Sequence, residues 1–386
     1  MKPTNPTKTI NTKVPGKLRM IQTGDIHFCH KRTPTANLIK TMNYLFYENE
    51  SLKDVDLVVL NGDVWDSLVE QPNVDALCAR QWIRKFVNDC GLNDVELYVL
   101  EGTPDHDWKQ SKEFVAYDTP CSVHYIDQLS ITHLERFNLD VLWVPDECRP
   151  TTEGVWQDAC SLLAKSGLDQ VDLAFVHGGF DFQYPGTFEV KVHSSERYSS
   201  ITRYGVFANH VHKAGQCLKV FGPGSPDRLR QGEDEDKGYH RVVLDLNTQK
   251  CYVDWLPNPY AWEHVSLNVD GLSHEEVVHE ARTRAKTLRG GSFICLKNGD
   301  PDVVKAALTP LRLEFPALQW ELKNKKKKEG LEATEELYTY EQYKGTSASK
   351  DNANELTVGW LLDRKLITQD DVAFVQSVLA EVLSEL

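Results

Sequence analysis

The chain has no Cys-x-x-Cys pair among its nine cysteines, which excludes a thiolate zinc site or a disulfide framework as the organising device. No run approaches the roughly 18 consecutive apolar residues of a membrane-spanning helix. The start, residues 1–17, is polar and dotted with proline, without the apolar centre of a secretory leader. Positive charge is in deficit: 43 Lys and Arg stand against 57 Asp and Glu, a formal charge of −14. That balance excludes a protein that coats nucleic acid over its whole surface, while leaving local phosphate contacts open. These absences describe a reduced, cytoplasmic protein of ordinary composition, 41 % hydrophobic and 26 % charged. Its 386 residues suffice for two or three domains at about 100–200 residues each.

What is present is one repeated pattern. Apolar, β-branched runs such as 55–60, 95–100 and 171–176 each end in a cluster of Asp, His and Gly. They read as buried strands, and the helical stretches 35–47 and 75–90 between the early ones predict an α/β layered domain. Sites in α/β sheets form beyond the carboxyl ends of strands. Five such ends carry chemistry here: Asp25 and His27; Asp63; Asp105, His106 and Asp107; His177; and His210 and His212. The pattern spans residues 17–257. Residues 258–323 read as a small α/β domain, with strands at 264–269, 292–296 and 318–322, a helix from near Ser273 that Gly290-Gly291 ends, and a second helix over 301–308. A polar segment, 324–354, opens on the run Lys325-Lys326-Lys327-Lys328, a solvated linker or a phosphate-contacting patch. Residues 355–386 read as helical, with an apolar stripe from Val375 to Leu386 that packs on its own domain or on a partner.

Asp25, His27, Asp63, Asp105, His177, His210 and His212 make a mixed set of three carboxylates and four imidazoles. Such a set suits Mn²⁺, Fe²⁺ or Zn²⁺ better than Ca²⁺. Seven candidates exceed what one ion takes, so two ions are expected. A pair about 3.5–4 Å apart is a standard device for phosphoester displacement.

The order Asp25-x-His27, Gly62-Asp63-Val64-Trp65-Asp66, Pro104-Asp105-His106-Asp107, His177 and His210-x-His212 resembles the calcineurin-like metallophosphoesterase superfamily over residues 18–256. The segment Gly222-Pro223-Gly224-Ser225-Pro226-Asp227-Arg228, followed by a small α/β domain, is similar to the SbcD-type nuclease subunits of double-strand-break repair complexes. The resemblance implies a two-sheet α/β/β/α sandwich with a small α/β capping domain and a C-terminal helical segment. It implies Asp25, His27 and His212 on one metal, Asp63 bridging, and Asp105, His177 and His210 on the second, with Mn²⁺ first and Mg²⁺, Fe²⁺ or Zn²⁺ as alternatives. It makes His106 the acid-base or transition-state residue; Asp107 either orients His106 or caps a turn. Implied partners are DNA, an SbcC-like SMC-type ATPase bound by the tail, and a second copy of the chain. The implied setting is the cytoplasm of a bacterial or phage-infected cell, and the implied reaction is exonuclease and endonuclease cleavage at DNA ends. A stand-alone phosphodiesterase or phosphatase acting on a small nucleotide or a phosphoprotein is the alternative.

The sequence departs from the family pattern at two places. Asp105 stands where the family carries Asn, so a third carboxylate is expected to hold metal more tightly and attract the phosphodiester less. Asn209 stands where Gly is usual, with its tolerance of left-handed backbone expected to preserve the loop. Part of the acidic excess, residues 232–236, is expected to lie away from the ligands. The isolated chain should therefore bind DNA weakly without metal.

Overall fold

The computed structural model describes residues 11–323, except 71, 148, 185–191 and 231, together with Val358, Leu362, Thr368 and 372–377. Two compact units divide at Lys323/Asn324. In chain order the strands are β1 (Lys17–Thr23), β2 (Leu57–Asn61), β3 (Glu96–Leu100), β4 (Val123–Ile126), β5 (Ser130–Leu134), β6 (Leu139–Val144), β7 (Val171–His177), β8 (Thr202–Asn209), β9 (Gly215–Cys217), β10 (Val220–Gly222), β11 (Gly238–Asp245), β12 (Lys250–Pro257), β13 (His264–Asn268), β14 (Phe293–Lys297) and β15 (Gln319–Lys323). The helices are α1 (Thr35–Asn43), α2 (Val74–Leu92), α3 (Pro104–Asp107), α4 (Thr152–Ser166), α5 (Ser195–Ser200), α6 (His274–Ala285) and α7 (Pro301–Glu314).

Two six-stranded mixed sheets, β12-β11-β1-β2-β3-β4 and β5-β6-β7-β8-β10-β9, form the larger part of the first unit. The run Leu57-Val58-Val59-Leu60 is buried throughout because β2 is covered on both faces, as central parallel strands are. One face packs on the other sheet through Leu57 and Val59 with Leu173, Phe175 and Phe207. Tyr98, Trp143, Phe175 and Phe207 stack in series between the sheets, with centroids 4.8, 4.9 and 5.4 Å apart. The opposite face, Val58 and Leu60, packs with Leu38, Met42, Ile83 and Phe86 of α1 and α2. On the second sheet, Ala174 and Val206 pack with Ala159, Leu163 and Tyr198 of α4 and α5. The chain is therefore an α/β sandwich with helices outside two sheets. The β11–β12 hairpin extends the first sheet antiparallel to β1.

The three-stranded parallel sheet β13-β14-β15 has its own core with α6 and α7, including Val277, Leu296, Val304 and Leu311. Ser273 starts α6 through a reciprocal capping box with Glu276, which satisfies two otherwise unpaired end groups. Two boundaries differ from those expected. Helix α6 stops at Ala285, five residues before Gly290. Helix α7 continues past Leu308 to Glu314 with Pro310 inside it. Pro310 is exposed while Leu308 and Leu311 are buried, so the core contact outweighs the backbone bond lost at proline.

The segment after β10 joins this part to the sandwich. The Asp227 carboxylate accepts from Asn37 Nδ2 (2.7 Å) and Thr41 Oγ1 (2.8 Å) of α1 and from Trp262 N (3.1 Å). Arg228 Nε donates to Glu233 O at 2.9 Å. Gly-Ser-Pro-Asp-Arg is thus a structural knot at the root of the small sheet. In the second unit, 372–377 are helical. The lysine run, the segment 324–354 and most of the stripe beyond Val375 lie outside the described residues. No helix among the described residues is long and apolar enough to cross a membrane.

Candidate metal centre

The carboxyl ends of β1, β2 and β3 from one sheet meet those of β7 and β8 from the other, and the polar clusters there converge. Asp25, His27 and His212 bring one ligand atom each within 4.8 Å of one another, and Asp63, His177 and His210 do the same. The two carboxylate oxygens of Asp63 face different groups: Oδ2 lies 3.7 Å from His27 Nε2 and Oδ1 lies 3.3 Å from His177 Nε2. Asp25, His27, Asp63 and His210 all have positive φ, at 50°, 55°, 50° and 116°. Left-handed backbone at non-glycine residues is costly and concentrates at functional sites. Glycine makes the convergence possible. A Cβ on Gly62, at φ 87°, would stand 2.1 Å from His177 Nδ1, and one on Gly102 would stand 2.1 Å from Asp63 N.

The outward Nδ1 atoms of His177 and His212 are hydrogen-bonded, and that of His27 faces a carboxylate. His177 Nδ1 donates to Asn61 O at 2.8 Å, and His212 Nδ1 bonds to Glu233 Oε1 at 3.0 Å. His27 Nδ1 lies 3.4 Å from Asp66 Oδ1. His27 and His212 therefore turn Nε2 toward Nε2 at 3.2 Å, two lone pairs that repel unless a cation or proton lies between them. Asp25 Oδ2 accepts from Asn209 Nδ2 (2.9 Å) and His210 N (3.1 Å), whereas Asp25 Oδ1 is buried without a partner. A buried carboxylate oxygen without a donor is costly. The donor set, the converging lone pairs and this oxygen all fit divalent cations. Burial favours neutral Asp63, but the His177 and His27 imidazoles outweigh it and hold the carboxyl far below its usual range. Burial likewise opposes charge on His177, and Asp63 reverses that, raising it to about 10. A bound cation competes with that proton. Burial, then the neighbouring His177, lowers His210.

Asp105 is not part of the cluster. It is exposed, because Thr103 stands at the N-cap position, without a side-chain cap bond, and Pro104 begins the short α3, and the helical turn carries Asp105 outward. Thr103 stands in the centre instead. Its N–H donates to Asp63 Oδ1 at 2.6 Å, and its hydroxyl lies 3.2 Å from Asp63 Oδ2, 3.3 Å from His177 Nε2 and 3.4 Å from His210 Nδ1. The Thr-Pro pair was the available signal, since threonine at the cap followed by proline starts a helix. Asp105→Asn should therefore leave Mn²⁺ affinity within about twofold, as exposed substitutions do. Thr103→Val should weaken it by about tenfold or more, as loss of a supporting contact does. Calorimetric Mn²⁺ titration checks both, and a large Asp105 effect would reverse this assignment.

His106 sits beside the first group, its ring edge-on to His27 with centroids 4.7 Å apart. Its Nδ1 donates to Asp66 O at 2.5 Å, leaving Nε2 free. Asp107 does not orient it. Asp107 is fully buried and accepts from Trp65 N and Gly102 N, both at 2.9 Å, so it fixes two loops. Asn209 ends β8 and is not left-handed; the positive φ falls on His210. Its amide spans Gln22, Asn61 and Asp25.

Residues 232–236 do not all lie away from the site. Burial raises Glu233, but His212 and Lys237 outweigh it and hold the carboxyl at about 2. Lys237 Nζ is 2.8 Å from Glu233 Oε2. The distance in sequence between His212 and Glu233 offered no local signal. Glu233→Gln should lower metal affinity by about 10- to 100-fold, the usual cost of removing a carboxylate behind a ligating histidine. Unchanged Mn²⁺ binding would contradict that role.

No protein-family model matches the sequence, and no curated protein matches it. Among solved structures, the GAP50 anchor in the inner membrane complex of Plasmodium is 11 % identical, with a TM-score of 0.40 over 63 % of this chain and 85 % of that one. A second is 13 % identical, with a TM-score of 0.35 over 62 % of this chain and 99 % of the other. Likeness this weak does not define a function.

Proposed function

We propose that the chain is a two-metal phosphodiester hydrolase of the calcineurin-like metallophosphoesterase fold, acting on DNA ends as an SbcD-type nuclease subunit. The observation that carries this reading is that two of the three converging His/Asp groups, Asp25-His27-His212 and Asp63-His177-His210, are joined by the two oxygens of Asp63. On this reading Asp25, His27, His212 and Asp63 hold one divalent ion, and Asp63, His177 and His210 hold another, Mn²⁺ first. The ions supply Lewis-acid activation of the phosphodiester and of water. His106 presents Nε2 toward the reacting group and, when protonated, gives its proton to the leaving oxygen. The Asp66 carbonyl fixes the ring for this by accepting the Nδ1–H hydrogen bond. The DNA substrate, the SbcC-like ATPase partner, the homodimer and the cytoplasmic setting are part of the proposal and rest on the sequence resemblance.

One observation favours the alternative, a small phosphodiester as substrate. The charged lining of the cleft of about 890 Å³ beside Trp108 is Glu101, Asp105, Asp127, Asp146 and Glu147, against Lys109 and Arg149. Such a lining repels a polyanion. The deciding experiment incubates the Mn²⁺-loaded chain with linear DNA and with thymidine 5′-(4-nitrophenyl phosphate). Mn²⁺-dependent DNA degradation supports the nuclease. Rapid ester hydrolysis with intact DNA supports the alternative, and inertness toward both overturns the hydrolase.

A further inference from the structure

The acidic cleft at the end of α3 contains a tryptophan whose placement metal binding does not explain. Trp108 is 55 % exposed, two residues beyond His106, and it lines the cleft together with Pro104 and Leu129. Trp108 and the following Lys109 are both left-handed, at φ 47° and 57°. Two bonds hold this unfavourable turn. The indole Nε1–H donates to Asp105 O at 3.0 Å, and Lys109 N donates to Glu101 Oε1 at 2.6 Å. Glu101 is itself buried and accepts from the Tyr125 hydroxyl at 2.8 Å. A large aromatic ring is thereby exposed to solvent on a costly backbone and fixed in direction, which is how structures build a platform rather than a core residue. The cleft adjoins the metal centre: Asp146, Glu147 and Arg149 also line a second cavity of about 390 Å³, whose lining includes His177 and His210.

We propose that Trp108 is the stacking platform of a nucleobase pocket, which takes one unpaired base next to the phosphate held at the metal centre. The charge of the lining selects the base over the backbone. Carboxylates repel a phosphate but accept hydrogen bonds from base amino groups, and every base offers a π-face to an indole. Naming a nucleotide rather than another aromatic compound rests on the phosphoesterase reading of the adjoining site. The consequence is a substrate with an unstacked nucleotide at the point of cleavage: a single strand, a frayed end or a small nucleotide ester.

The test uses the full chain in excess chelator, so it is independent of turnover. Adenosine and ribose 5-phosphate are titrated by calorimetry and by saturation-transfer NMR. Adenosine should bind and ribose 5-phosphate should bind much more weakly. Trp108→Ala should weaken adenosine binding at least about fivefold, and Trp108→Phe should stay within about threefold of the parent, since stacking needs only a π-face. Both variants lose the indole bond to Asp105 O, so any fall in melting temperature should be the same in the two, and their difference in adenosine binding reports the π-face alone. No adenosine binding by the parent chain, equal binding by Trp108→Ala, or ribose 5-phosphate binding as tight as adenosine would overturn the proposal. Adenosine binding as expected, alongside inertness toward DNA and the thymidine ester under Mn²⁺, would instead remove the hydrolase reading and leave the base pocket standing.

Discussion

Asp63→Asn should reduce bound Mn²⁺ from about two ions per chain to one or fewer and lower phosphodiester hydrolysis by about three orders of magnitude, ~4 kcal/mol in the barrier. The size follows from its position. Asp63 is the residue whose two oxygens face both ligand groups, and Oδ1 also accepts the Thr103 N–H. An amide keeps the shape but loses the negative charge and one acceptor, so one of its ends turns an N–H₂ toward a ligand group. The charge balance changes with it. Asp63 is what raises His177 to about 10 against the effect of burial, so in Asp63→Asn that imidazole returns toward the neutral form that burial favours. Metal analysis and turnover on the same preparations separate this from unfolding. A variant with full metal content and near-parent activity would remove Asp63 from the bridging position.

The strand ends were legible because the sequence repeats one local pattern. Runs such as 57–60 bury both faces, and the Gly, Asp and His that follow cannot continue a strand. That is enough to place Asp25, His27, Asp63, His177, His210 and His212 at the carboxyl ends of strands. It is not enough to show that two sheets meet there. Strand β7 packs on β2 through contacts far apart in sequence, Leu57 and Val59 with Leu173 and Phe175, and the two-sheet arrangement was an expectation of family resemblance. Adjacency to His106 points to Asp105 as a ligand, but the Thr103-Pro104 helix start rotates consecutive side chains by about 100° and leaves Asp105 exposed. The roles of Glu233 and Asn209 are hidden from sequence for a different reason. Their partners, His212 and Asp25, lie across the fold, and a polar side chain's bonding partner leaves no periodic trace in sequence.

His106 and Asp107 are neighbours in one four-residue helix, and the geometry assigns them opposite outcomes. His106→Ala should lower kcat by about 10²- to 10⁴-fold, the range for loss of a general acid, with metal content and melting temperature unchanged. Its ring touches His27 edge-on and its backbone keeps the bond from His106 N to Thr103 O, so its removal opens space at the substrate side and costs only the bond to the part-buried Asp66 carbonyl. Asp107→Ala should act through stability. Trp65 N and Gly102 N lose their acceptor in a fully buried position, and each orphaned donor costs about 1–3 kcal/mol. The Gly102 loop carries Thr103, and the Trp65 loop follows Asp63, so both sides of the second ligand group lose their anchor. Asp107→Asn separates these effects. It can accept at one oxygen only, and should fall between parent and alanine in denaturant midpoint while keeping His106 oriented by the Asp66 carbonyl. Equal activity loss in His106→Ala and Asp107→Asn, at unchanged stability in both, would mean that Asp107 acts on the imidazole after all.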